Sequence, residues 1–122
     1  MLQSQKFHVV GVANSIVTDA GLISTDAEKK TISHIRLVLD EVVDNDVHVY
    51  HERTKIHDIP DRLFDVENAT GAINLAKPGA RINDLEIAFP IPVGEKIAVA
   101  IKCGATATDI YGSYFYEITG GA

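Results

Sequence analysis

The sequence predicts an all-β domain in which two antiparallel sheets pack as a β-sandwich, drawn most concretely as a single jelly roll. Three observations carry that expectation. Apolar residues recur with period two along most of the chain, Gly, Pro and Asx turns separate the alternating stretches, and no segment sustains a 3.6-residue apolar period of helical length. The 122 residues suit one domain, residues 1–122, built around one core. About seven or eight short strands in a chain of this size fit two packed sheets.

Residues 5–12 are rich in strand formers, and residues 15–18 read as a short extra strand in the long connection that follows. In residues 31–39, Ile35, Leu37 and Leu39 share one face while His34, Arg36 and Val38 share the other. Ile32, Ile35, Leu39 and Val42 also fall at helical spacings. The β-branched content and the lack of a glycine cap before Val47 favour a strand. This stretch continues to Val43, meets Asp44, Asn45 and Asp46, and resumes over residues 47–54, the pattern of a long antiparallel hairpin. Pro60 interrupts the chain, residues 61–66 read as one helical turn or a short edge strand, and Lys77, Pro78, Gly79 and Ala80 read as a tight turn. Leu85, Ile87 and Phe89 then alternate with Asp84, Glu86 and Ala88, giving a strand that ends in a bend at residues 90–94. Ile97, Val99 and Ile101 form one face opposite the small Ala98 and Ala100, as expected of a central strand. After a loop of small polar residues, Tyr114, Tyr116 and Ile118 alternate with Ser113, Phe115 and Glu117 in the last strand.

Eleven basic against 17 acidic residues give a net charge of −6, which disfavours attraction to nucleic acid or an anionic bilayer. No apolar run approaches the roughly 20 residues needed for a membrane span, and the start lacks a signal-peptide pattern, so synthesis in a cytoplasm is expected. Cys103 is the sole cysteine. It forms no internal disulfide and reads as a small buried apolar residue. The absence of any Trp argues against a true immunoglobulin domain.

No pattern of catalytic or ligating residues emerges. His48 and His51 lie three apart in an extended stretch and so point to opposite faces. Cupins, which are metal-binding jelly rolls, place two histidines one residue apart, and the spacing here departs from that at the residues that matter. Cross-strand pairs of Asp40 with His51 or His34 with His57 are open to the hairpin reading. Asp44 and Asp46 lack the glycine and terminal glutamate of a calcium loop, and Asp58, Asp61 and Asp65 around Pro60 read as solvated loop acids. The serines lack a nucleophile elbow, and the glycines are too scattered to cradle a phosphate. The expectation is a non-enzymatic protein with no cofactor and no metal.

What the residues do suggest is assembly. A small domain leaves apolar surface near its exterior, and packing of identical copies removes it. Phe89, Pro90, Ile91 and Pro92 form a proline-stiffened apolar stretch suited to a contact between copies, with a plain strand-to-strand corner as the alternative. Tyr111, Tyr114 and Tyr116 are the other candidates, for an interface or for stacking on a sugar, with core packing or burial at a sheet edge as the plainer reading of each. The expected function is therefore a structural homo-oligomer, trimeric, pentameric or larger, such as a small capsid, decoration or spike subunit of a virus or phage particle. A carbohydrate- or ligand-binding sandwich is the second reading.

Overall fold

The computed structural model describes residues 2–40, 43–64 and 84–120. Among these residues there are nine strands: β1 (Leu2–Val9), β2 (Ile16–Thr18), β3 (Leu22–Ile23), β4 (Lys29–Leu39), β5 (Asp46–His51), β6 (Thr54–Pro60), β7 (Asp84–Pro90), β8 (Lys96–Lys102) and β9 (Ile110–Gly120). The only helical element among the described residues is a 3₁₀ turn at Asp61–Leu63. All pairings are antiparallel. One sheet has the order β1-β9-β4-β7 and the other β2-β8-β5-β6, with β3 also paired to β8. The fold is thus all-β with two antiparallel sheets. The turn expected at Lys77–Ala80, together with Asp65, Val66 and the Glu41–Val42 step, lies outside the described residues.

Alternation explains which faces meet. Phe7 and Val9 of β1, Ile35, Leu37 and Leu39 of β4, and Ile110, Tyr114 and Tyr116 of β9 face Val47 and Val49 of β5 and Ile97, Val99 and Ile101 of β8 across one buried cluster. Each fully buried aliphatic side chain among them contributes about 1.5–3 kcal/mol relative to exposure. As expected, β8 is central: it lies between β2 and β5, and Ala98 and Ala100 are buried on its second face.

The long hairpin between residues 31–43 and 47–54 does not form. β4 and β5 belong to different sheets, so Asp44, Asn45 and Asp46 sit at a corner that carries the chain across the sandwich. The hairpin that exists joins β5 to β6 through Glu52 and Arg53, with Glu52 in the left-handed region at φ 54°. Alternation reports which side chains are buried, and it reports nothing about which ribbon a strand pairs with. The helical spacing of Ile32 and Ile35 also finds its cause. Against β9 the register of β4 slips between Ile32 and His34, where β4 carries one extra residue, Ser33, so side chains three apart, Ile32 and Ile35, share the core face; against β7 the slip runs the other way, with the extra residue on β7.

β2 and β3 interrupt each other at Asp19–Gly21, where β8 loses its partner strand. Two groups fill the gap. The Asp19 N–H donates to the Val99 carbonyl at 2.8 Å, and the Tyr114 hydroxyl reaches across the core to accept the Val99 N–H at 3.0 Å while donating to Asp19 Oδ2 at 2.8 Å. Burial drives the phenol far above its ordinary pKa, so Tyr114 stays a donor at any working pH. Tyr114→Phe is expected to cost about 1–3 kcal/mol, because the Val99 N–H is left buried without an acceptor. Urea unfolding checks this, and an unchanged midpoint would mean that the hydroxyl is dispensable.

Candidate functional site

The residues expected at an interface separate by strand parity. Tyr114 is fully buried and Tyr116 is 8% exposed, both turned into the sandwich, so neither offers a surface to a partner or a sugar. This corrects the grouping of the three tyrosines: Tyr111 is odd-numbered, faces the opposite side of β9 and is 36% exposed. Ile91 is likewise buried, and its N–H donates to the Lys30 carbonyl at 2.9 Å. It anchors the corner between β7 and β8. Pro90 and Pro92 are exposed, and half-buried Phe89 packs against the core and edge-on to His51 at 4.8 Å.

Tyr111 marks the outer face of the β1-β9-β4-β7 sheet. Register sets three rows across it: His8, Tyr111 and Val38; Lys6, Ser113, Arg36 and Asp84; Ser4, Phe115, His34 and Glu86. Cross-strand stacking follows from those rows, with His8 on Tyr111 at 4.3 Å and His34 on Phe115 at 4.6 Å. Arg36 grips Asp84 with two bonds of 2.9 Å, which hold the Asp84 carboxyl below its usual range and the guanidinium above its own. Because Ser113 is small, the surface dips beside it. One groove of about 310 Å³ is lined by Arg36, Val38, Tyr111, Ser113 and Phe115, and another of about 480 Å³ by Lys6, His8 and Tyr111.

A different cluster lies on the second sheet. Asp46, His48 and Asp58 bring ligand-type atoms within 4.8 Å of one another, the one such group among the described residues. Its chemistry is already closed from within. His48 Nε2 lies 3.3 Å from Asp58, Nδ1 lies 3.1 Å from the Tyr50 hydroxyl, and Lys55 supplies a cation to Asp58 at 2.9 Å. The imidazole Nε2 and the Asp58 carboxylate already answer each other, and the Lys55 ammonium shares the same carboxylate. His51 pairs elsewhere, with Glu95 at 2.6 Å, so the two histidines share no site. The pairs Asp40 with His51 and His34 with His57 do not form, since Asp40 accepts from the Asp109 N–H and His34 stacks on Phe115.

Burial lowers the His48 pKa below its ordinary value near 6.5, and the Asp58 charge, the next contribution, only partly opposes it; Lys55, Asp46 and Lys102 contribute less. The unfolded chain therefore binds a proton that the folded imidazole resists. Stability contributed by neutral His48 is complete above about pH 6.5 and falls as pH drops below it. His48→Asn is expected to flatten the stability difference between pH 7 and pH 5, read by urea melts at the two values. Equal slopes for both proteins would exclude this role.

Sequence reasoning missed a third arrangement, a buried polar knot at the corner between the sheets. Asn45, 2% exposed, donates through Nδ2 to the Thr106 carbonyl and to Thr108 Oγ1, and accepts the Gly104 N–H at Oδ1, each at 2.9 Å. Asp61, fully buried, accepts the Val43 and Asn45 N–H groups at Oδ2, both at 2.9 Å. Asx residues beside a predicted turn were the only signal available.

No protein-family model, no curated protein and no solved structure matches this chain. Its geometry is therefore the sole guide to function. Among the described residues, no helix is long and apolar enough to cross a membrane.

Proposed function

We propose that this chain is a jelly-roll subunit of a self-assembling particle, with a structural and non-enzymatic role. The observation that supports the reading is the strand order. If β2 and β3 are taken as one interrupted strand, eight strands place β1, β4, β7 and β9 in one sheet and β2/β3, β5, β6 and β8 in the other. Among the described strands, successive ones then lie in different sheets except β5 and β6, as in a jelly roll. A capsid, decoration or spike component of a virus or phage is the most concrete form of this role, by analogy of fold. The protein would be made in a cytoplasm and carried in the particle, with copies of itself and other particle proteins as partners. Exposed Val10, Val12 and Ile16, each about half accessible, are the kind of surface that subunit packing removes. Size-exclusion chromatography with light scattering tests the reading: a discrete homo-oligomer supports it, and a strict monomer at high concentration overturns it.

A ligand-binding sandwich is favoured by one feature, the exposed Tyr111 ring that walls both outer-face grooves. A glycan array with Tyr111→Ala as control tests that alternative, and no binding by either protein would remove it.

A further inference from the structure

The margins of the two sheets differ in how they are protected against another strand. β2 and β3 have three and two residues. β6 carries Lys55, His57, Asp58 and Pro60, and its register slips at Ile56. β7 carries Asp84, Glu86 and Pro90, and Ala88 takes a left-handed φ of 49°. Short length, charges, proline and kinks are the devices that keep an edge from pairing. β1 has none of them except one lysine. It runs eight residues, Leu2–Val9, without proline, pairs with β9 without a slip, and has β9 as its only partner strand among the described residues. Leu2 at its start is 49% exposed.

We propose that the edge of β1 opposite β9 is the contact through which two copies of this chain join, antiparallel about a two-fold axis, into one continuous sheet. This rests on the self-assembly reading and names the surface it uses. Sheet geometry narrows the register. Even-numbered residues of β1 face outward and Phe7 and Val9 face the core, so a continuous sheet must pair even with even and odd with odd. Centring the axis on Lys6 would set two ammonium groups opposite each other. Centring it on Gln5 pairs the whole of Leu2–His8, sets Lys6 against Ser4 of the second copy, and brings Leu2 against His8, whose ring already stacks on Tyr111. Charge and length of pairing both select that register.

The experiment combines charge and cross-linking on the intact chain. Ser4 is exposed, so its substitution leaves the core untouched. Ser4→Lys places lysines opposite Lys6 on both sides of the axis and is expected to weaken association about tenfold, whereas Ser4→Glu maintains or tightens it. Gln5→Cys is expected to form a disulfide-linked dimer on mild oxidation, because opposed Cα atoms in a sheet fall within disulfide reach, while Gln3→Cys does not. Native Cys103 is buried and does not compete. An oligomer that is indifferent to both Ser4 substitutions and gives no Gln5→Cys cross-link overturns the β1 contact and leaves assembly standing. A monomeric wild type overturns both.

Discussion

Asn45→Ala is expected to destabilise the protein by about 3–5 kcal/mol, a large share of the 5–15 kcal/mol that holds a domain of ordinary stability. The side chain is amide on both ends of its chemistry, and the fold uses all of it: two donated bonds tie it to the loop before β9, and its oxygen takes the Gly104 N–H. Alanine removes those bonds at once, and of the groups released, the Thr108 hydroxyl is fully buried while the Thr106 carbonyl and Gly104 N–H lie nearer the surface. The Asp61 carboxylate next to it depends on the same corner, since it holds the Asn45 N–H. Asp44→Asn is the matched control. Asp44 is 87% exposed at its side chain and meets Arg62 only at 3.3 Å, and asparagine tolerates its φ of 72°, so a change within about 0.5 kcal/mol is expected. Urea midpoints for the three proteins settle the matter, and a mild Asn45→Ala phenotype would mean that the corner tolerates loss of its ties.

Gly112→Ala is expected to be comparably damaging, by about 3 kcal/mol, for a steric reason. Gly112 sits mid-strand in β9 between β1 and β4, with Phe7 on one side and Leu37 on the other. An added Cβ would collide with the Arg36 carbonyl oxygen, lie 2.8 Å from Phe7 Cζ and 3.0 Å from Leu37 Cα. Backbone atoms cannot swing aside as a flexible side-chain end can, so the β4 and β9 ladder would have to part. Ser113→Ala, one residue on but turned to the outer face, should change stability by less than about 0.5 kcal/mol. Thermal melts of both variants test the contrast, and equal melting temperatures would contradict it.

Much of this architecture was legible because burial on one face imposes period two. β8 could be placed in the interior from Ile97, Val99 and Ile101 opposite two alanines, and β9 from its tyrosines. The same parity already separated Tyr111 from Tyr114 and Tyr116, so their grouping as one surface conflicted with a signal present in the chain. Sheet membership was not legible. The pairing of β5 with β6 instead of β4 depends on a turn at Glu52 and Arg53 that lacks the usual Asn-Gly chemistry, and on a corner whose Asx residues read equally well as a hairpin tip. Asp61 looked like a solvated acid because its partners, the Val43 and Asn45 amides, are far from it in sequence. Long-range bonding to one oxygen of a buried carboxylate, Asp61 Oδ2, leaves no local periodicity to detect, and its Oδ1 is buried with no partner among the described residues.

The tyrosine that patches the break between β2 and β3 has a kinetic corollary. Amides next to a missing strand ordinarily trade their protons with solvent on the timescale of local fraying. At Val99 the acceptor is instead a phenol rooted in the opposite sheet, so deuterium uptake there requires the two layers to come apart. That amide should exchange as slowly as the most protected positions of β9, a clock for global opening set at a place where the ladder is interrupted.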